Sequence, residues 1–493
     1  MFRKVLVLPL LLISLFACNS DSNDEKATAN ALTAKFSNFV GANEKILAFG
    51  HMNMFQMLEK SAYKDNSLIK AIIDPLISKM AALDKKSPIY FAVELNEMNI
   101  APVNIEEIIN NQEFDAKGYV YAFIAVSNKN EIKKQLEQEG RLRFKSSDGI
   151  DYAQENNATI ALQNDYLMLM VDLNDNNQVD ISQVKDAIKT MENGKSTDIV
   201  NKIMTSTTDF MLTYDMGKSV STLMKGLNIS NKESQQLEAD LKGCFNTTNI
   251  NFENGKVILT TENILSPSMS KWRVTKQDTK EIASTLGTGS PTAAIAMNLD
   301  IDQIQKIMDN YLKTSLDELQ SKLSDNELIE FDRIKKEGIS TIFNGRFGIA
   351  AFFTSDGYGM IPNVNFQLGV GNMLLEMIKE PLEMAKSNGL TLENKNNILY
   401  GYFGPQNTSR TGSLTLPKGA EDFGNYPING FVDIQKLPVS ELGLPDPAMK
   451  IISKLSLLKF HVQGDKFTLE IQFKDASQNS LTQIINSVSG LSI

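Results

Sequence analysis

Few residues in this 493-residue chain have the type and spacing to do chemistry; it carries two histidines, two cysteines and one tryptophan. His51-Met52-Asn53-Met54-Phe55-Gln56-Met57 gathers one imidazole and three thioethers, a soft set that suits Cu(I). At helical spacing Met54 and Met57 share a stripe, and core filling is the expected role, since methionine adapts to irregular gaps. Asp172-Leu173-Asn174-Asp175-Asn176-Asn177-Gln178-Val179-Asp180 places oxygen donors at the first, third, fifth and ninth positions of a calcium-loop spacing: Asp172, Asn174, Asn176 and Asp180. Asn177 replaces the turn glycine and Gln183 the bidentate glutamate, so the set is a weak calcium candidate, and no metal or cofactor is expected. Gly369-Val370-Gly371 sits between a strand and a helix as a dinucleotide fingerprint would, with Leu374 where the third glycine belongs. Ser268…Lys271 and Ser456…Lys459 match a Ser-x-x-Lys spacing without the companion motifs of penicillin-recognising enzymes. Trp272, Tyr400, Tyr402 and Phe403 could stack on sugar rings if exposed; in strands such aromatics more often pack in a core. His461 stands in an alternating strand with no acid pattern beside it, and no catalytic residue is assigned.

The counts exclude further classes. With 49 basic and 59 acidic side chains the chain carries a net charge of −10, which opposes nucleic-acid binding, and no nucleic-acid partner is expected. Two cysteines cannot form a disulfide framework or a four-thiolate zinc site, and two histidines exclude multi-histidine metal centres.

The N-terminus predicts an address. Met1-Phe2-Arg3-Lys4 precedes the apolar run Val5–Ala17, a basic-then-apolar pattern of signal-peptide length, too short for a span of about 20 residues. Leu15-Phe16-Ala17-Cys18 resembles the bacterial lipobox, which implies lipidation of Cys18 and a membrane partner through that lipid. Asn19 in place of Asp implies export to the outer membrane by the same resemblance, and Asp21, Asp24 and Glu25 resemble the acidic tract of surface-exposed lipoproteins. Several acyl chains would anchor the protein stably. Losing Arg3 and Lys4 takes the mature charge to −12. Cys244 is then the one remaining thiol, expected as an inert core group because no basic neighbour in sequence would lower its pKa.

The elements that must position these residues recur in order. Ile46–Leu58 and Thr292–Ile304 each run from an apolar strand through Met-Asn into an amphipathic helix. Thr159–Met170 and Leu390–Tyr400 each read strand, Asn/Asp turn, strand. Asp209–Asp215 and Asn429–Asp433 each lead into a helical stretch and then a hairpin, over Ile250–Leu259 and Leu458–Ile471. Helical faces are predicted over Leu68–Met80 and Ile304–Leu323, and strands over Ile89–Leu95, Tyr119–Val126 and Arg346–Thr354. The predicted fold class is α+β: two similar halves, each an antiparallel sheet with amphipathic helices packed on it. The expected divisions are a signal peptide at 1–17, a lipidated cysteine and flexible acidic tether at 18–40, an N-terminal half at 41–275, a linker at 276–291 and a C-terminal half at 292–493.

A lipobox, an acidic tether and a duplicated α+β body resemble the large duplicated outer-membrane lipoproteins of Gram-negative bacteria grouped under domains of unknown function. The junctions Phe49–Leu58 and Ile295–Ile304, with the strands near Pro88–Leu95 and Gly118–Val126, carry that resemblance. It implies a fold and an address and no catalytic residues. The expected function is a non-enzymatic scaffold or binding module for an envelope protein, peptide or glycan. The alternatives are a carboxylate hydrolase of envelope or extracellular polymers and a lipid-handling chaperone, the last requiring an open apolar cavity under a sheet.

Overall fold

The structure is a computed structural model that describes residues 25–78, 82–99, 115–138, 142–174, 179–226, 231–276, 278–320, 323–355, 360–387, 390–404, 413–437, 439 and 443–488. The expected leader, Cys18, Met80 and the middle of the calcium candidate, including Asn176 and Asn177, lie outside the described residues.

In chain order the elements are α1 (Glu25–Ala42), β1 (Ile46–Met52), α2 (Met54–Lys60), α3 (Ser67–Ser78), β2 (Ile89–Asn99), β3 (Asp115–Ala125), α4 (Lys129–Gln138), β4 (Lys145–Ser147), β5 (Ile150–Glu155), β6 (Ala158–Leu162) and β7 (Tyr166–Asp172). There follow α5 (Ile181–Asn193), α6 (Asp198–Met204), β8 (Phe210–Asp215), α7 (Met216–Gly226), α8 (Lys232–Leu241), β9 (Phe245–Glu253), β10 (Lys256–Ile264), α9 (Lys280–Ala283) and β11 (Ala293–Asn298). The remainder are α10 (Ile301–Tyr311), α11 (Lys313–Gln320), α12 (Asp325–Glu337), β12 (Phe343–Ser355), β13 (Met360–Val370), α13 (Asn372–Met377), α14 (Lys379–Ser387), β14 (Leu390–Lys395), β15 (Ile398–Phe403), β16 (Ile428–Asp433), α15 (Asp446–Ile452), β17 (Leu455–Gln463), β18 (Lys466–Phe473) and α16 (Ser480–Val488). The mixed composition and antiparallel pairing agree with the predicted α+β class.

The chain divides into two compact units. The first takes the residues up to 230, Leu241–Phe252 and the helix from Leu481; the second takes Asn231–Asp240 and Glu253–Ser480. The expected boundary at 276–291 is therefore displaced. β10 belongs with the second unit because it bonds along β18 from Lys256↔Gln472 to Glu262↔Lys466. The predicted linker is packed as well: Ile282 and Leu286 are buried, four residues apart around the short helix α9. Its glycines act as turn residues, with φ of 106° at Gly287 and 101° at Gly289, a region that favours glycine.

In the first unit the strand order is β9-β8-β1-β2-β3-β7-β6-β5-β4, every neighbour antiparallel. Alternation sends Ile89, Ala122, Ile124, Leu167 and Leu169 to one face, where α4 adds Ile132 and Leu136 and closes a core. Tyr90, Tyr121 and Phe123 point to the other face, which α1 covers. Phe36 lies 5.0 Å from Tyr90 and 5.5 Å from Phe123, and Phe39 lies 5.0 Å from Tyr121.

That packing corrects the expected tether at 18–40. Leu32, Phe36, Phe39 and Val40 fall at helical spacing and are all buried, so the segment from Glu25 is a docked helix. Lys35 fastens it further, bonded to Asp165 at 2.8 Å and Glu192 at 2.9 Å. Burial works against the charged lysine, and the two carboxylates outweigh it, so its pKa is raised.

In the second unit the order is β10-β18-β17-β16-β11-β12-β13-β15-β14, again antiparallel throughout. The predicted turn between β14 and β15 is made by Asn396 and Asn397 with φ of 53° and 58°, the two positive values a tight right-twisted hairpin needs.

Candidate functional site

The second unit's sheet has an unusual distribution of polarity, set by alternation along its strands. One register row crosses all nine: Leu259, Leu469, Phe460, Gly430, Ile295, Ile349, Phe366, Gly401 and Leu392. The next row toward Val364 is equally apolar, and the row through Phe347 is polar only at its outer ends, Thr261 and Asn394. Most side chains of these rows are only half-buried; Ile295 is 38% and Phe403 47% exposed. A bulky apolar face usually lies under a second layer, because removing that surface from water drives layer packing. The aromatic rings lie over glycines instead: a Cβ at Gly401 would meet the Phe366 ring at 2.0 Å, and one at Gly430 the Phe460 ring at 2.7 Å.

The opposite face carries the polar residues and is the covered one. Asn363, Asn365 and Gln367 of β13 are buried. Asn365 Nδ2 donates to the Leu286 carbonyl at 2.9 Å, and Gln367 Nε2 donates to the Ile282 carbonyl and to Thr285 Oγ1 at 2.6 Å. Around them Leu286, Ala294, Ala350, Phe352, Phe431 and Leu457 form the core beneath the segment carrying Leu414, Leu416 and Phe423. The unit's helices add exposed apolar side chains: Leu312 follows α10, Ile329 lies on α12, Met377 on α13 and Met384 on α14. The contiguous apolar rows of the sheet are surface of the kind that marks interaction or ligand sites in soluble proteins.

The predicted chemical sites fall elsewhere, and their described residues are spent on local bonds and packing. In the copper candidate, strand alternation separates the donors. His51 packs edge-on to Tyr90, while Met52 and Met54 pack against the core on the other face. The His51 ring donates from Nε2 to the Thr208 carbonyl at 3.2 Å, Asn53 Nδ2 donates to the same oxygen at 2.5 Å, and burial lowers the imidazole pKa. Next to it, fully buried Asp209 accepts from Lys60 Nζ on both oxygens at 2.7 Å and from the Phe252 N–H at 2.7 Å. These bonds tie β1, α2, β8 and β9 together.

In the calcium candidate Asp180 caps α5, accepting from the Ser182 N–H at 2.9 Å, while Gln183 reaches back to the Asp180 N–H at 3.3 Å. Asp172 Oδ1 accepts from the Asn174 N–H at 2.8 Å. Both carboxylates thus serve local backbone turns, and among the described residues no group of three or more His, Cys, Asp or Glu is disposed to hold a metal. Gly369 and Gly371 are explained by close packing: a Cβ would meet the Asn344 side chain at 1.6 Å or the Thr341 backbone at 2.0 Å. Ser456 falls at an irregularity in the β17–β18 register, and Lys459 pairs with Asp422 at 3.3 Å. Ser268 donates to the Asp240 carbonyl at 3.3 Å, and Lys271 lies over the Trp272 ring.

The four candidate sugar-stacking aromatics do not share a surface. Tyr402 is buried and donates to Asn363 at 3.3 Å, whereas Phe403 faces the apolar rows. Trp272 packs against Tyr311, whose hydroxyl donates to Asp240 at 2.7 Å; burial first, then that carboxylate, pushes the Tyr311 pKa up to about 12. Cys244 is buried, as expected of a core thiol. His461 stacks on Tyr426 at 4.0 Å beside a small recess of about 10 Å³, and burial lowers its pKa. Asn429 in that recess spends its amide on Gly424, Thr279 and Tyr426, and Lys459 beside it pairs with Asp422, so these lining groups serve a hydrogen-bonded junction.

No family model matches the chain, and no curated protein matches it. Among solved structures, crystal form I of TP0453 is similar over 47% of this chain and 78% of that one, at 11% identity and a TM-score of 0.26. Crystal form IV of the same protein is similar over 49% and 83%, at 12% identity and a TM-score of 0.27. Form III extends over 74% and 93% at 9% identity and a TM-score of 0.23.

Proposed function

We propose that this protein is a non-enzymatic binding module, anchored to the outer membrane through lipid on Cys18 and exposed at the cell surface, that holds an apolar or amphipathic ligand. The single observation behind the ligand class is the half-exposed apolar face of the second unit's sheet. It favours the lipid-handling alternative over a glycan or hydrolytic role. Solvent extraction and mass spectrometry of the purified protein tests it: a co-purifying hydrocarbon-bearing molecule is expected. Its absence, with no saturable uptake of a fluorescent fatty acid by delipidated protein, refutes the reading. Turnover of glycan or peptide polymers that acid-to-amide substitutions abolish would restore the hydrolase. Cys18→Ser should move the protein from the membrane to the soluble fraction, and protease shaving of intact cells should remove it.

We also propose that the two units are copies of one ancestral unit, in keeping with the lipoprotein family that the sequence resembles. Six strand pairings support this, each matched in order: β1–β2 with β11–β12, β1–β8 with β11–β16, β2–β3 with β12–β13, β3–β7 with β13–β15, β6–β7 with β14–β15 and β8–β9 with β16–β17. A matched local device supports it independently. Asp215 at the end of β8 pairs with Lys218 at 3.7 Å, and that lysine donates to the Ile46 carbonyl at the start of β1. Asp433 at the end of β16 pairs with Lys436 at 3.3 Å, and that lysine donates to the Pro291 carbonyl just before β11.

A further inference from the structure

Resting on the apolar-ligand and two-copy readings above, we infer that the ligand is a hydrocarbon chain held at one site per protein. That site lies in the second unit, on β11, β12, β13, β15 and β14 beside α13 and α14; the first unit fills its own matching site. The two copies act as each other's control. In the first unit the row Ala122, Leu169 and Ile160 is buried, and the connection from β3 to β6 supplies α4, whose Ile132 and Leu136 have no exposed surface to speak of. The matching positions of the second unit are Phe366, Gly401 and Leu392, and the matching connection supplies α13 and α14. There Met373 is buried, but Met377 is 52% and Met384 63% exposed, and Phe366 and Leu392 stay half-exposed. The same face is covered by aliphatic side chains in one copy and left half-buried in the other.

The lining dictates the occupant's chemistry. The central strands spend their backbone groups on one another, and the three apolar rows offer no side-chain donor or acceptor between their outer ends. A peptide or sugar laid on that surface would strip water from its own polar groups and find no partner for them. A hydrocarbon chain carries no such groups and gains from leaving water, as Ile132 and Leu136 do in the first unit.

The test is titration of the delipidated full chain with the fluorescent fatty acid cis-parinaric acid. One probe per protein is expected. Ile295→Asp and Phe403→Asp, at positions already exposed, should weaken binding at least tenfold, and Leu212→Asp on the first unit's sheet should change it less than twofold. Circular dichroism melts identify folded variants; Ile295→Ser and Phe403→Ser replace any that fail. Two probes per chain, or equal weakening by Leu212→Asp, would overturn the one-site assignment while leaving the apolar-ligand reading intact. Full binding by the second-unit variants would overturn it too. No binding by the unmodified protein would overturn the apolar-ligand reading, and this inference with it.

Discussion

Replacing Phe36 by Ala separates a docked first helix from a tether. The ring has no exposed surface and contacts Tyr90 at 5.0 Å and Phe123 at 5.5 Å. Truncating a buried Phe to Ala typically costs about 3–5 kcal/mol, combining lost transfer energy with the cavity left behind. The stacked and tilted ring pairs place the site toward the upper end, since such pairs add about 0.5–1.5 kcal/mol beyond area burial. For a unit of this size, roughly 2–4 °C accompanies each kcal/mol, so the first unit's melting transition should fall by about 6–20 °C. Calorimetry of the chain without its lipid reads that transition, and Phe36→Leu should recover more than half of the loss. Limited proteolysis near Ala42–Lys45 separates undocking of the helix from global unfolding. A change below about 0.5 kcal/mol, the range of surface substitutions, would refute the docked helix and restore the tether.

Lys60→Met should destabilise the first unit by about 3–5 kcal/mol, because it strands the fully buried Asp209 carboxylate; adding Asp209→Asn should recover part of the loss in urea titrations. Gly371→Ala should cost roughly 1–3 kcal/mol through the clash with the Thr341 backbone, and dinucleotides should leave the melting temperature of both forms unchanged. Burial depresses both histidine pKa values, so the folded form prefers neutral rings while the unfolded chain takes up protons near the ordinary imidazole value of 6.5. Stability from this source is complete above that pH and lost as pH falls below it, and His51→Gln should flatten the slope of urea midpoints between pH 7 and 5. Asp151, held down to about 2 by Ser146, then Lys129 and Lys133, adds a loss in the same direction below its ordinary value of 3.8.

Local pattern made much of the architecture legible. The predicted strands over Ile89–Leu95, Tyr119–Val126 and Arg346–Thr354 lie within or along β2, β3 and β12, and the Asn396-Asn397 turn takes the geometry its residues favour. Composition misled where a few apolar anchors outweigh many polar neighbours. The acidic start concealed the stripe of Leu32, Phe36 and Phe39, and the glycine-rich segment concealed Ile282 and Leu286. Functional motifs misled for a related reason: Asp180 and Gln183 have the residue types of metal ligands, yet a helix N-terminus needs the same oxygens.

Alternation along each strand, readable in the chain itself, determines that Phe347, Ile349 and Ala351 share one side and Gly348, Ala350 and Phe352 the other. Which side is covered is not a property of any strand. It depends on where distant segments lie: 278–291 and 414–427 settle over the polar side of the second sheet, while α4 closes the apolar side of the first. Burial is a relation between residues far apart in the chain, so only the tertiary structure decided that an apolar face stays open.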